Sequence, residues 1–325
     1  MKIEKSKIKL YATLGSRATF GMLVLELKKK YEKLFIVTAD VSTSAGLDRY
    51  RKQHKDSYLD VGISEQNMIG VATGLATEGF DVITTTFSPF QTARCCEQIK
   101  VNLGYMENKV CMVGLASGLV LGNLGYTHCS IEDIGILRSI PNISIVSPAD
   151  GMEIAKCLDY VISKSKNSVY IRLTGDKNEK PIYENDYDFT IGKGVKILEG
   201  SDITFFSCGS ILNRVIDTAK KLELEKNISC SVINMHTIKP IDNELIIEEA
   251  KKSKMLISVE EHNIIGGLGS SISEVISGVN KSPKLLRIGI NDKYISEGGY
   301  EHLLNKYSLN SAAISEKVYE EFRKI

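Results

Sequence analysis

Residues 60–87 read DVGISEQNMIGVATGLATEGFDVITTTF. Tyr58–Val61 is a strand-like run, Gly62 permits a tight turn, and Ser64 is placed to cap the helix that follows. That helix is apolar and rich in Gly and Ala, with one carboxylate, Glu65, in its first turn. The β-branched run Asp81–Phe87 reads as a second strand. Strand, helix and strand in succession form a βαβ unit, which implies a mostly parallel sheet. The helix dipole favours an anion at a helix start, and that alone can account for Glu65. The same residue also lies at the carboxyl end of a strand beside a Gly turn, where open α/β sheets bind ligands. Both readings stay open from these residues.

The pattern repeats on either side. LFIVT (34–38), KVCMVG (109–114), ISIVS (143–147) and VYIRL (169–173) read as buried strands, and Ala18–Lys30 and Pro148–Lys164 as amphipathic helices. Ser88-Pro89 and Ser147-Pro148 each place a Ser cap before a Pro at the first helical position. Lys28, Lys29 and Lys30 read as a solvated helix end. From Pro181 to Gly194 the periodicity lapses into turn residues, which marks a linker. A second α/β series follows, with strands at 203–207, 228–234, 255–260 and 284–290 and helices at about 211–223, 241–252, 269–279 and 312–324. The expected fold is α/β, two doubly wound domains at 1–182 and 192–325.

The bulk figures agree with this. A chain of 325 residues suggests about two domains. A hydrophobic share of 43% and a charged share of 25% are those of an ordinary globular protein. A formal net charge of +1 argues against a nucleic-acid or membrane surface. Seven cysteines without a CxxC pair make neither a zinc spacing nor a disulfide framework, and a reducing cytoplasm is expected. No apolar stretch is long enough to span a bilayer.

Other candidates cluster after strands. Phe87 and Phe90 stand three residues apart around a helix start and could wall a flat ring, or simply fill a core. Residues 114–134 form a long Gly-rich connection ending in Thr127-His128, and long loops in compact domains are usually functional. His128 is a candidate acid–base group, or a loop histidine with one hydrogen bond. Ser44 follows the first buried strand, and Arg17 and Arg172 are candidate anion clamps. Gly266-Gly267-x-Gly269-Ser270 reads as a tight helix start rather than a phosphate cradle, and His236 and His262 as structural. No cluster suggests a metal site in this chain.

Five segments, taken in order, resemble the transketolase family of thiamine-diphosphate enzymes. They are DVGISEQNMIGVATGLATEGF, TFSPFQTARCCEQIKVNLGY, GYTHCSIEDIGILRSIPNISIVSPAD, VYIRL and VINMHTIKPID, and the likeness runs from about Arg17 to Leu268. It covers the pyrimidine-binding and C-terminal domains; the family's GDG…N metal motif is absent, and Gly175-Asp176-Lys177 does not qualify. The resemblance therefore implies a split enzyme. A separate N-terminal-section subunit would carry the diphosphate and a divalent metal, magnesium or calcium, in a heterotetramer. It implies that Glu65 hydrogen-bonds N1′ of the cofactor pyrimidine and so promotes the reactive ylide. It further implies that Phe87 and Phe90 stack on that ring, that His128 faces the donor sugar, and that Arg17, Ser44 and Arg172 hold a sugar phosphate. Ala116 stands where the family has a second histidine, and Leu124 where it has an aspartate. Two contacts to a polyhydroxy substrate are thus missing, so the ordinary pentose phosphates are not assured. The β subunit of a 2-oxo acid dehydrogenase shares the two-domain layout and is the alternative; an idle scaffold subunit is a third.

Overall fold

The computed structural model describes residues 2–325. Its first sheet contains β1 (Leu34–Thr38), β2 (Tyr58–Asp60), β3 (Asp81–Phe87), β4 (Val110–Leu115), β5 (Ile143–Val146) and β6 (Ser168–Arg172). The second contains β7 (Val195–Leu198), β8 (Ile203–Ser207), β9 (Cys230–Asn234), β11 (Met255–Asn263) and β12 (Lys284–Ile290). One further strand, β10 (Thr237–Lys239), leaves the second domain and joins the first sheet, where it pairs antiparallel with β5. The orders are β10-β5-β6-β4-β3-β1-β2 and β12-β11-β8-β9-β7. All pairs are parallel except β10 with β5 and the edge pair β7 with β9.

Parallel strands joined by helical crossovers are covered on both faces, so they are apolar on both. Neighbouring strand residues accordingly enter different cores. Ile36, Ile83 and Val113 pack with Leu23, Leu27 and Leu158 of helices Ser16–Lys30 and Gly151–Ser163. Val37, Val82 and Met112 pack with Met68 and Ala72 of helix Glu65–Thr77. That second core continues into the other domain through Phe206, Ile233, Leu256 and Leu268. The two domains are therefore joined by shared apolar packing as well as by β10.

Three local expectations need correction. Helix Gly151–Ser163 begins after Asp150, whose Oδ1 accepts from Glu153 N at 2.9 Å; Ser147-Pro148 lies upstream of that cap. Ser88 opens only one helical turn, Ser88–Gln91, and its hydroxyl does not cap it. Ser64 holds the cap position of helix Glu65–Thr77 without a side-chain cap bond. The segment before Val195 has no regular structure, yet it is packed. Tyr183 and Tyr187 stack on each other and donate to buried Glu153, and Phe189 stacks on His236.

Candidate active site

The carboxyl ends of β1, β2, β3 and β4 place the chemistry. Asp60, the last residue of β2, ties two of these ends together: its Oδ1 accepts from Asp40 N at 3.0 Å and from Gly62 N at 2.9 Å. Gly62 takes φ +72°, a conformation that suits Gly and turns the chain into the helix. Glu65 follows in the first turn, 5% exposed. Its Oε1 accepts from Arg94 Nη1 at 2.6 Å. The Arg94 guanidinium also lies 3.9 Å from the centre of the Phe90 ring. Phe87 and Phe90 meet edge to face at 6.5 Å, and His128 joins them at 6.3 and 5.3 Å. Thr127 Oγ1 lies 3.1 Å from His128 Nδ1. Four residues from three separate segments, Glu65, Phe87, Phe90 and His128, thus share one end of the sheet, linked by Arg94 and the ring contacts.

The loop carrying His128 is clamped by the C-terminal domain. Glu261 Oε1 accepts from Leu119 N at 2.6 Å, and Oε2 from the Tyr300 hydroxyl at 2.8 Å. Burial pushes the Glu261 carboxyl up to about 7. Gly118 has φ +73°, and a Cβ there would lie 2.1 Å from Glu261 Oε1. A side chain at 118 would displace the clamp. Ala116 is buried in this loop, while Leu124 is half exposed. Sequence reasoning does not single out Glu261, because an acidic pair at a strand end carries no local signal of its partner 142 residues away.

Arg172 is not brought into this group. It is 1% exposed and fully engaged: Nε donates to Asp133 Oδ2 at 2.7 Å, and Nη2 donates to the carbonyls of Ser130 at 3.0 Å and Glu261 at 2.8 Å. Asp133 Oδ2 also accepts from Tyr170 at 2.7 Å and from Ser88 at 3.2 Å. A guanidinium so enclosed is a structural ion-pair partner rather than an open anion clamp. His262 and His236 are fully buried, and burial lowers them to about 4 and about 3. At the Gly266–Ser270 turn, the amides of Leu268 and Gly269 donate to Glu260 at 2.6 and 2.9 Å. That helix start is filled from within.

Arg17 and Ser44 do come together. They line a pocket of about 200 Å³ with Ser16, Thr43, Lys177 and one carboxylate, Asp176, at the start of helix Ser16–Lys30. Lys177 is a cation that sequence reasoning does not assign to this pocket. Among the described residues, no group of three or more His, Cys, Asp or Glu could hold a metal ion, and no helix is long and apolar enough to cross a membrane.

The family model described as transketolase, pyrimidine binding domain, matches residues 12–179, and that described as transketolase, C-terminal domain, matches 192–314. The chain belongs to the transketolase family. A Methanocaldococcus jannaschii protein provisionally named a transketolase C-terminal section is 38% identical over 95% of this chain and 97% of its own length. A Clostridium sp. (strain MSTE9) protein named 6-deoxy-6-sulfo-D-fructose transketolase subunit SqwH is 32% identical over 94% of this chain and 93% of its own. A solved structure described as a split gene transketolase, inactive β4 tetramer, superposes with a TM-score of 0.87 at 30% identity, covering 95% of this chain and 99% of that one. Transketolase-family membership implies thiamine diphosphate, and the residues present suit its pyrimidine. A flat ring bearing nitrogen atoms needs an aromatic face and a buried carboxylate to bond its edge. Here the carboxylate already bonds a flat N–H group that rests on an aromatic ring.

Proposed function

We propose that this chain is the pyrimidine-binding half of a split, thiamine-diphosphate-dependent transketolase that moves a two-carbon ketol unit from a ketose to an aldehyde acceptor. One observation carries the reading: buried Glu65 stands beside the Phe87–Phe90–His128 ring cluster at the strand ends of a transketolase-family domain. The cofactor, when bound, supplies the carbon nucleophile for ketol transfer. Glu65 holds the hydrogen bond at the pyrimidine N1′, Phe87 and Phe90 flank the ring, and His128 meets the donor's oxygens. A separate subunit supplies the diphosphate seat and its divalent metal, magnesium or calcium. The shape of this chain supports such a partner. Ile63 is 74% and Tyr105 84% exposed, and an added Cβ at Gly70 or Gly74 would meet nothing within 4 Å. Exposed large apolar side chains, and a helix surface left open at two glycines, are suited to a second protein surface. The solved relative is a tetramer of one chain type and is described as inactive, which supports a larger assembly in which that chain type alone does not suffice. Seven free cysteines support a cytoplasmic setting.

For the substrate, we propose an anionic sugar held by Arg17, Lys177 and Ser44, with fewer hydroxyl contacts than usual because of Ala116 and Leu124. That one relative is named for a sulfo-sugar supports this reading. The test mixes this chain with a diphosphate-binding partner and supplies ketose phosphates, a sulfo-ketose and 2-oxo acids. Ketol transfer is expected only from the mixture and only with a ketose. Turnover of a 2-oxo acid instead would favour the dehydrogenase β subunit. In the same assay, Arg17→Ala is expected to raise KM for the anionic donor about 10–100-fold with kcat nearly unchanged, as for loss of a charge-assisted contact made in ground and transition states alike. An unchanged KM would place the anion elsewhere.

A further inference from the structure

Arg94 has no part in the roles assigned above, yet it occupies their centre. Its guanidinium is flat, carries N–H donors in its plane, lies 3.9 Å from the centre of the Phe90 ring, and donates to Glu65 Oε1 at 2.6 Å. An aromatic face and an in-plane hydrogen bond to a buried carboxylate are the two contacts the site offers to an aminopyrimidine. We propose that Arg94 fills the pyrimidine seat of this chain before the cofactor arrives, and that its side chain swings out to admit the ring. This rests on the reading of Glu65 and Phe90 as the pyrimidine site.

The surroundings fit a movable plug. The Arg94 backbone is anchored: its N–H donates to Pro89 O at 3.2 Å, and its carbonyl accepts from Gln66 Nε2 at 3.2 Å. The side chain is 43% exposed, and Glu65 is the guanidinium's one hydrogen-bond partner among the described residues. It can therefore leave by side-chain rotation alone, into solvent, while the helical turn that carries Phe90 stays in place. The plug also solves a problem that a half-site creates. Glu65 is a buried carboxylate, and a buried charge without a partner is costly. Arg94 compensates it until the pyrimidine edge replaces the guanidinium.

Occupying the seat makes Arg94 a competitor, and the cofactor's apparent affinity is lowered by the fraction of molecules in which the seat is free. The test measures the thiamine diphosphate Kd by calorimetry, with magnesium present, for the complex of this chain with its diphosphate-binding partner. The complex is prepared with wild-type chain, Arg94→Ala, Arg94→Lys and Glu65→Gln. Arg94→Ala is expected to tighten the Kd roughly tenfold, the scale of one half-exposed ion pair plus one cation–π contact. Arg94→Lys keeps the charge but lacks the flat face, and is expected to fall between Ala and wild type. A Kd that is unchanged or weaker in Arg94→Ala, with its unfolding temperature and assembly intact, overturns the plug. Failure of the complex to assemble with Arg94→Ala also overturns it, because Arg94 would then be an interface residue. A kcat indifferent to Glu65→Gln in the same complex overturns the pyrimidine site itself, which separates the two failures.

Discussion

Replacing Glu65 with Gln in the assembled complex is expected to lower kcat by about 10²–10⁴-fold, the range for losing a positioned acid–base group. Gln has the same shape and still offers an oxygen and an N–H. It cannot give or take a proton at the pyrimidine N1′ as a carboxyl group can, so binding survives better than turnover. The substitution removes a buried charge, and the exposed half of its ion pair, Arg94, can turn to solvent. Stability should therefore change little. The informative comparison is kcat against unfolding temperature in the same preparation. Loss of both together would mean that Glu65 serves the fold, and a kcat within threefold of wild type would favour the idle scaffold subunit.

The second large effect is structural. Asp133 is fully buried and holds Arg172, Tyr170 and Ser88 through a single carboxylate oxygen. Removing one member of a buried ion pair typically costs about 3–5 kcal/mol, because the other charge stays behind. Asp133→Ala strands the Arg172 guanidinium beneath β4 and β6, where only the Ser130 and Glu261 carbonyls remain to it. The unfolding temperature of the chain is expected to fall by roughly 10 °C. Ser88, released from Asp133, begins the turn that carries Phe90, so cofactor affinity should weaken as well. Asp133→Asn can keep an acceptor oxygen at that position but not the charge, and should lose less. An Asp133→Ala chain that melts within 2 °C of wild type would contradict the role given to this network.

Much of the fold is legible in the sequence because its signals are local. Short β-branched runs at 34–38, 81–87 and 203–207 coincide with β1, β3 and β8 to the residue. Strands whose pairing is decided elsewhere leave less trace. β10 has three residues, includes a register shift, and exists because the second domain lends it to β5. β7 lies at an edge and is only half buried along its length, so no alternation marks it. A Ser-Pro pair resembles a helix start at Ser147-Pro148, although a better acceptor, Asp150, stands two residues beyond Pro148 and makes the cap.

For the site, residue type and the family resemblance point to Glu65, Phe87, Phe90 and His128, and the structure shows them at one end of the sheet. Arg172 shows the limit of that approach. A motif position says which strand end a side chain leaves from, but Asp133, 39 residues away in sequence, decides where its guanidinium goes. Arg94 is hidden for a related reason. It sits in the TFSPFQTARCCEQIK segment, and only the fold brings it across to Glu65, 29 residues earlier. Lys177 stands in Gly175-Asp176-Lys177, which invites comparison with a metal motif, whereas the fold places it in the lining of the pocket that also holds Arg17.

The central claim is that this chain contributes one half of a cofactor site. Calorimetric titration of thiamine diphosphate with magnesium into this chain alone, into its diphosphate-binding partner alone, and into their mixture tests it most directly. We expect saturable, tight binding in the mixture at one cofactor per pair of chains, and binding at least about 10²-fold weaker to this chain alone, which offers a ring seat without a diphosphate seat. Tight stoichiometric binding to this chain alone, or a mixture that binds no better than either component, would contradict it.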